Sequence, residues 1–399
     1  MPKRTTGRYE RTTAGGEEVA AFVPSALPPA EPPIVVDAAL SARLRAAEQA
    51  LVRLELAGEM VPSLDWFIYA FVRKEAVLSS QIEGTQATLV DLLTFEAQEG
   101  GEQGAPPSAD VEEVCNYLEA LVYARAQLAD PRGLPLSMRL LSETHRRLTR
   151  GVRGAEKLPG EVRRSQNWIG GSRPGNAAYV PPPPHALGEV LGALEKYLHA
   201  DDTLPPLVRA GLLHVQFETI HPYLDGNGRI GRLLVTLLLE HWKLLTKPLL
   251  YLSLFFKRHR GEYYRRLDAV RVEGDWEAWL DFFLDGVATI ADEAVASARE
   301  LFALVATDRT RVLAHAGMSI VALRLFELLP RHPVMTVASV MKRVETTKPT
   351  AGRAIDLLVT AGGLVETTGK KRDRSFVYQA YLDRLRVGTE LEHVPRSRA

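Results

Sequence analysis

Apolar residues recur at three- and four-residue spacing through most of this chain, and this period constrains the fold more than any other feature. The pattern begins near Asp37, where Leu40, Leu44 and Leu51 fall on one helical face. Further stretches of the same kind, separated by short polar loops, continue to about Thr307. The sequence therefore predicts a mainly α protein.

One long segment interrupts the helices. Residues 151–184 are rich in glycine, asparagine and serine and end in the run Pro181–Pro184. Within this segment, Gln166–Ile169 and Ala178–Val180 have the composition of two short strands. We expect them to form a small hairpin.

The pattern changes again near residue 310. Helical segments at about Ser319–Leu329, Thr336–Val344 and Lys348–Ala361 precede two β-like stretches, Leu364–Thr367 and Ser375–Tyr378. Three helices followed by two strands is the order of a winged helix. At the other end, residues 1–36 hold six prolines without clear periodicity, which predicts an extended arm.

Composition narrows the cellular setting. The 49 Lys and Arg residues balance 49 Asp and Glu residues, which argues against a broad nucleic-acid or membrane surface but says nothing about local patches. The lone cysteine, Cys115, excludes an internal disulfide framework and fits a reducing compartment. Neither a signal-peptide pattern nor an apolar run long enough to span a bilayer is visible, so a cytoplasmic protein without membrane partners is expected.

The segment His221–Arg232 joins two amphipathic helices and carries the strongest chemical signal. Pro222 ends the incoming helix, and the triplet Gly226-Asn227-Gly228 permits backbone conformations that other residues resist. The main-chain N–H groups that open the next helix then form a nest for an anion such as a phosphate chain.

Charged side chains surround this predicted nest. Arg229 and Arg232 are three residues apart on one helix and can bind phosphate oxygens. Asp225 is a hard oxygen ligand suited to a phosphate-bound Mg²⁺, although it also suits a helix cap. His221 can accept a proton near pH 7. His214, two turns earlier, fits a core histidine better than a metal pair with His221, because no third ligand has suitable spacing.

With these residues in view, the chain resembles the Fic family, whose signature is H-P-F-x-[D/E]-G-N-G-R-x-x-R. The single departure is Tyr223 in place of the usual phenylalanine. Residues 159–170 and 178–182 are similar to the family's flap, a hairpin that aligns the target's acceptor segment by main-chain pairing. Ser79–Gly84 fits the inhibitory pattern [S/T]-x-x-x-E-[G/N], and Tyr263 and Tyr264 resemble the segment that closes over adenosine.

The resemblance implies a Fic-type helical bundle with a β-hairpin flap, preceded by N-terminal helices and followed by a winged helix. The implied division is a proline-rich arm, an N-terminal helical region with the inhibitory helix, a Fic catalytic core and a winged-helix-like domain, at residues 1–36, 37–130, 131–309 and 310–399.

The implied activity is transfer of AMP from ATP to a Ser, Thr or Tyr hydroxyl of a protein, with self-modification left open. His221 would be the base, and Asp225 would be the ligand of Mg²⁺. The ATP-binding set would be Asp225, Gly226, Asn227, Gly228, Arg229, Arg232, Tyr263 and Tyr264. Glu83 would inhibit the enzyme by pairing with Arg232 and displacing the γ-phosphate.

Several alternatives stay open at this point. The same site could remove AMP from a modified protein, whereas kinase-type transfer, as in Doc toxins, is disfavoured because the Gly-Asn-Gly cradle is intact. Glu83 is also compatible with an ordinary charged residue at a helix end, and Tyr263 and Tyr264 are compatible with core packing. Between Arg331 and Arg374 nine basic residues face four acidic ones, which allows a nucleotide-sensing DNA-binding regulator as well as a protein contact. A homo-oligomer is compatible with all of these.

Overall fold

A computed structural model describes residues 4–60, 64–98, 106–370 and 373–391 of the chain. Lys371 and Arg372 of the predicted basic wing lie outside the described residues. The chain divides into two compact units that interleave along the sequence. The first unit comprises residues up to Glu55 together with Asn116–Asp292, and the second comprises Leu56–Cys115 together with the residues from Glu293 onward.

The fold is mainly α, as the apolar periodicity predicted. The helices up to the middle of the chain are α1 (Ala38–Met60), α2 (Leu64–Ile82), α3 (Leu89–Gln98), α4 (Ala109–Ala129), α5 (Met138–Leu148), α6 (Leu187–His199), α7 (Pro206–Ile220) and α8 (Asn227–His241). The remaining helices are α9 (Ser253–Arg258), α10 (Arg260–Glu273), α11 (Trp276–Ala314), α12 (Ile320–Leu328), α13 (Val337–Val344), α14 (Lys348–Thr360) and α15 (Gln379–Leu385).

Side-chain caps define the starts of α5 and α3, and both capping residues are of types that favour a helix N-terminus. Ser137 accepts a hydrogen bond from the Leu140 N–H at the start of α5, which satisfies one of the donors that a helix N-terminus leaves unpaired. At α3, the Thr88 hydroxyl accepts from the Asp91 N–H while the Asp91 carboxylate accepts from Thr88. This reciprocal pair is a capping box.

Helix α7 forms the centre of the first unit. Every residue from Leu207 to Ile220 is buried, so the helix is enclosed on all sides, and α8 packs beside it. Leu212, Leu213 and Leu237 are fully buried in this core. The turn that carries the His221–Arg232 segment is thus held between two well-buried helices.

The N-terminal arm contains a hairpin that the sequence analysis missed. Strands β1 (Gly7–Ala14) and β2 (Glu17–Pro24) pair antiparallel across the two-residue turn Gly15-Gly16, where both glycines have positive φ. The Phe22 N–H donates to the Val180 carbonyl at 2.9 Å. Residues 7–24 are therefore an ordered hairpin that packs on the flap, not an extended arm.

The predicted flap hairpin is present but short. Ile169 and Tyr179 form one antiparallel pair, with each N–H donating to the other's carbonyl at 2.8 and 3.1 Å. The Tyr179 hydroxyl donates to the Thr219 carbonyl on α7, which anchors this strand to the core. The rest of the flap, which we define as residues 159–182, consists of turns, bends and irregular chain, with one short 3₁₀ helix at Pro174–Asn176.

The C-terminal part of the second unit follows the predicted order of three helices and two strands. Helices α12, α13 and α14 precede β4 (Val365–Glu366) and β5 (Ser375–Val377). A further strand, β3 (Val334–Thr336), pairs with β5 and completes a sheet of order β3-β5-β4. The sequence analysis missed β3 because three residues are too few to show an alternating pattern.

Within the described residues, no helix is both long and apolar enough to cross a bilayer. The domain boundaries expected from the sequence remain predictions.

Candidate active site at the turn between helices α7 and α8

The candidate site begins where α7 ends. His221 caps α7 in the left-handed conformation, with φ 50° and ψ 60°, and its N–H donates to the Phe217 carbonyl at 2.9 Å. A non-glycine residue pays roughly 1–2 kcal/mol for this conformation, so the surrounding structure must hold it. The chain then turns and enters α8 at Gly226, whose φ of 77° only glycine adopts without strain.

The Asn227 side chain closes this turn from within. Its Oδ1 accepts from the Tyr223 N–H and its Nδ2 donates to the Tyr223 carbonyl, each at 2.8 Å. Asn227 is 2% exposed, so both bonds are shielded from water. The amide therefore shapes the turn, and any ligand contact by Asn227 is left to its main-chain N–H.

The start of α8 presents N–H groups and positive charge to one place. The N–H groups of the first turn, including those of Asn227 and Gly228, have no intrahelical acceptor, because the first helical bond runs from Ile230 to Gly226. Arg229 and Arg232 are both buried on this helix. Together with the helix dipole, these groups make the start of α8 a candidate site for an anion, which we call the anion site.

Asp225 lies at the entrance to this anion site. Its carboxylate pairs with Lys157 Nζ at 3.0 Å and with Arg229 Nη2 at 3.4 Å, and it accepts from the Gly226 N–H at 2.7 Å. Burial raises the pKa of Asp225, but the bond from Lys157 and the nearby Arg229 outweigh burial and hold the pKa below its usual range. The carboxylate is thus kept ionised.

His145 on α5 contacts the turn, and the sequence analysis did not identify this residue. The ring stacks on Tyr223 with centroids 3.9 Å apart, its Nδ1 accepts from the Gly160 N–H, and its Nε2 lies 2.9 Å from the Asp225 carbonyl. Since Nδ1 accepts, Nε2 carries the proton and donates. Burial lowers the pKa of His145 to about 4, so the ring is neutral.

Two more residues that contact the turn, Lys157 and Arg163, come from the segment before and within the flap. Lys157 pairs with Asp225, and Arg163 donates to the His221 carbonyl. Both lie more than 50 residues from the motif, so their roles depend on the tertiary fold and no local pattern reveals them. Asp225 and His221 are therefore held by residues outside their own segment.

The two predicted adenosine-side tyrosines differ in the structure. Tyr263 is 1% exposed, and its hydroxyl bonds to His214 Nε2 at 2.9 Å. Core packing, the alternative left open for this pair, describes Tyr263. Tyr264 is 43% exposed. His214 also bonds to the Gly231 carbonyl and is fully buried, which confirms the core interpretation of this histidine.

The candidate inhibitory segment belongs to the second unit. Glu83 follows the end of α2, is half-buried, and donates its N–H to the Ser80 carbonyl at 3.0 Å. Two neighbours fix the segment within that unit. Gln81 Nε2 donates to the carbonyls of Ala87 and Thr389, both at 2.8 Å, and the Thr85 hydroxyl donates to Glu113 at 2.7 Å.

The donor set of this site suits a phosphate-bound metal better than a stand-alone one. Across the residues that the structure describes, no group of three or more His, Cys, Asp or Glu side chains could hold a metal ion. Asp225 offers a single carboxylate. Mg²⁺ commonly takes one or two protein carboxylates and completes its octahedron with phosphate oxygens and water, so this donor set fits Mg²⁺ bound together with a nucleotide.

Comparison with known proteins agrees with this geometry. Residues 41–126 match the Fic/DOC family N-terminal model, and residues 135–239 match the Fic/DOC family model. The protein adenylyltransferase Fic of Drosophila yakuba is 32% identical over 168 residues, which are 42% of this chain and 30% of that protein. The protein of the same name from Culex quinquefasciatus is 31% identical over 175 residues, or 43% of this chain and 32% of its own length. The match thus spans about a third of these relatives.

Solved structures show the same fold. A Fic family protein from Desulfovibrio desulfuricans G20 superposes with a TM-score of 0.55 at 20% identity, over 87% of this chain and 97% of its own. Fic-1 of C. elegans (residues 134–508) gives a TM-score of 0.51 at 20% identity, over 66% of this chain and 74% of its own. The solved structures thus show the fold, and the family models identify residues 135–239 as a region that matches the Fic/DOC family and residues 41–126 as one that matches its N-terminal region.

Proposed function

We propose that this protein transfers AMP from ATP to a hydroxyl group of a protein side chain. The observation that carries the proposal is the turn between α7 and α8, which places His221 at one end and the N–H groups and arginines of an anion site at the other. Relatives named protein adenylyltransferase support the same activity. The turn is fixed by buried contacts before any ligand arrives, as electrostatic catalysis requires.

In the proposed reaction, the acceptor oxygen attacks the α-phosphorus of ATP. The new bond joins that oxygen to phosphorus, the bond to the β-phosphate oxygen breaks, and pyrophosphate leaves. His221 accepts the proton of the attacking hydroxyl, because an imidazole is the side chain that most often serves as a general base. Arg229, Arg232 and the N–H groups at the start of α8 bind the phosphate chain.

Asp225 would hold the Mg²⁺ that accompanies ATP, which supplies charge neutralisation for the phosphates when bound. Tyr264, exposed on α10, remains a candidate contact for the adenosine. The acceptor protein would pair with the flap, where Ile169 and Tyr179 already form one ladder pair.

We further propose that Glu83 restrains this activity by pairing with Arg232. A carboxylate on that guanidinium competes with the phosphates for the same cation. The proposal is supported by the position of Glu83 at the end of α2, in a segment that Gln81 and Thr85 fix by buried hydrogen bonds. A fixed segment can present one carboxylate reproducibly.

The test is incubation with Mg²⁺ and ATP labelled at the α-phosphate, followed by detection of protein-bound label. We expect weak transfer by the wild type and strong transfer by Glu83→Gly. Glu83→Gln separates loss of charge from loss of backbone order, and His221→Ala in the Glu83→Gly background should abolish transfer. The proposal fails if the Glu83→Gly protein binds ATP but transfers no label. The alternative is that the same site removes AMP from a modified protein. Release of AMP from such a protein by the wild type, and its loss in Glu83→Gly, would favour this alternative.

A second candidate function is nucleic-acid binding by the C-terminal region. Lys348 and Arg353 are exposed on α14, and Lys342 and Arg343 are exposed at the end of α13. Exposed cations on adjacent helices can contact phosphates. A gel-shift with the full chain should show salt-sensitive binding that Lys348→Glu weakens, whereas absence of any shift at low salt would remove this candidate.

A further inference from the structure

A buried arginine outside the motif connects the candidate base to the flap. Arg163 is 2% exposed and donates to three main-chain carbonyls: Nε to His221 at 3.0 Å, Nη1 to Ser165 at 3.2 Å and Nη2 to Pro182 at 2.5 Å. The main-chain N–H of Arg163 also donates, to the Pro222 carbonyl at 2.9 Å. One side chain therefore bonds the end of α7 and both ends of the flap hairpin.

These bonds are strong for hydrogen bonds to neutral groups. Burial lowers the pKa of Arg163 to about 10, so the guanidinium is still charged at neutral pH. Hydrogen bonds from a charged donor are shorter and about twice as strong as bonds between neutral groups. They also compensate in part for taking the cation out of water. The side chain thus has a fixed orientation and transmits it to its three acceptors.

The bond to the His221 carbonyl has a specific consequence. His221 adopts a left-handed conformation that costs free energy, and the orientation of its peptide group determines where the imidazole points. Arg163 binds the carbonyl of the peptide group that follows the His221 Cα, while the N–H of the peptide group that precedes it donates to the Phe217 carbonyl. The position of the ring is therefore set partly by Arg163.

We propose that Arg163 is a positioning residue that sets the distance and orientation of His221 relative to an acceptor segment bound on the flap. The inference rests on the proposed adenylyl transfer and deepens it. Reacting groups held within a fraction of an ångström of productive geometry react far faster than loosely held ones, and a 1 Å misplacement can cost about 10²-fold in rate. Arg163 acts on the acceptor side of the reaction, since its contacts are to His221 and the flap and not to the anion site.

Arginine is suited to this role by its shape. The planar guanidinium group of arginine points its N–H donors in fixed directions, whereas lysine carries its charge on one compact ammonium group. Arg163→Lys therefore removes the geometry while retaining the cation. Arg164→Lys is the matched control, because the Arg164 side chain lies outside the Ile169–Tyr179 pair, is 80% exposed and pairs with Glu161 at the surface.

The experiment compares both variants in the Glu83→Gly background. We expect Arg163→Lys to lower kcat by about 10- to 100-fold at saturating ATP and target, with ATP affinity within about threefold of the parent. Tm should also fall, because lysine cannot serve all three buried carbonyls, so turnover is measured well below the Tm of the variant. Arg164→Lys should leave all three unchanged. Parent-like turnover by Arg163→Lys would overturn the proposal, as would a loss of ATP binding that accounts for the whole decrease.

A second measurement does not depend on transfer. In protein carrying ¹³C-labelled histidine, the His221 ring signal, assigned with His221→Ala, should shift in Arg163→Lys and stay in place in Arg164→Lys. An unmoved signal contradicts the positioning role. If the parent protein binds ATP but transfers nothing, the proposed activity fails, whereas the ring signal still decides whether Arg163 positions His221.

Discussion

The turn between α7 and α8 and the flap differ in how firmly they are held. In the turn, the Asn227 amide bonds both polar main-chain groups of Tyr223, whose ring stacks on His145. In the described part of the flap, the two strands share one antiparallel pair, and Trp168 is 37% exposed. The turn is thus shaped before a ligand binds, whereas the flap keeps main-chain groups available for a partner strand.

This contrast suits the proposed transfer of AMP, in which the turn would bind ATP and the flap would bind an acceptor segment. Buried polar bonds give the turn one conformation, which favours a fixed ligand. The segment between Ile169 and Tyr179 is mostly exposed, which places this part of the flap towards the low-stability end of the molecule, where binding segments are commonly found. The next three predictions test the contrast, from the largest effect to the smallest.

Asn227→Ala should cause the largest loss. It leaves the Tyr223 N–H without its acceptor and leaves the Tyr223 carbonyl with only the 3.4 Å bond from Asn167 Nδ2. An unpaired buried donor costs about 1–3 kcal/mol and a lost hydrogen bond about 1 kcal/mol, so the free energy of unfolding should fall by about 2–4 kcal/mol. Urea unfolding measures the difference, and ATP affinity should fall with it.

The same substitution in the flap is the matched control. Asn176 also bonds locally, to the Arg173 N–H and to Ser172, but on the exposed side of the flap. Asn176→Ala should change the free energy of unfolding by about 0.5 kcal/mol or less. Equal losses for the two variants would remove the proposed difference between turn and flap.

Acid should destabilise the protein in part through His145. Its folded pKa is about 4, below the ordinary value of about 6.5, so between these pH values the unfolded chain binds more protons than the folded one. The stability contributed by the neutral ring is present above pH about 6.5 and is lost as the pH falls towards 4, by at most about 3 kcal/mol.

His145→Gln should flatten this dependence over the same pH window, since glutamine does not titrate. It should also lower stability at pH 7, because the stacking on Tyr223 and one of the two ring bonds are lost. His214 and His332, whose pKa values burial also lowers to about 3, should still titrate in both proteins. An identical pH profile for variant and wild type would contradict the buried, neutral His145.

Glu17→Gln should have the smallest effect. The carboxylate of Glu17, at the N-terminal hairpin, pairs with exposed Arg173 and accepts from the Gly175 N–H at the flap tip. Exposed ion pairs contribute about 0–1 kcal/mol, so Tm should barely change, while limited proteolysis at the flap tip should become faster. Unchanged cleavage would mean that the hairpin does not restrain the tip.

The sequence predicted the parts of the site that one local segment encodes. Pro222 marks the end of α7 and Gly226 the left-handed entry to α8, and both features follow from the conformational limits of these residues. Helix periods are local as well, which is why two helices could be predicted on either side of this segment. The conformation of the turn and the positions of its charged residues could therefore be predicted, whereas anion binding there stays a prediction.

Residues that act across the fold could not be predicted this way. His145, Lys157 and Arg163 reach the turn from segments between 58 and 80 residues away, and each looks like an ordinary helix or loop residue in isolation. The hairpin of residues 7–24 did leave a signal, since Gly15-Gly16 between two eight-residue runs is a two-residue hairpin turn. The six prolines of residues 1–36 favoured an extended arm instead, so the hairpin was not predicted.

The interleaving of the two units is also a property of the whole chain. The boundaries at Glu55 and Leu56, at Cys115 and Asn116, and at Asp292 and Glu293 fall within α1, α4 and α11. In each of these helices the spacing of apolar residues continues across the boundary between the units, so no local change in the sequence pattern reveals the division.

The most direct test of the central claim is intact-mass spectrometry of the Glu83→Gly protein after incubation with Mg²⁺ and ATP, alone and with cell extract as a source of targets. The account predicts a covalent adduct of AMP mass on the protein or on a target, absent when His221→Ala is added. An adduct of phosphate mass alone, or no adduct on any protein despite intact ATP binding, would contradict it.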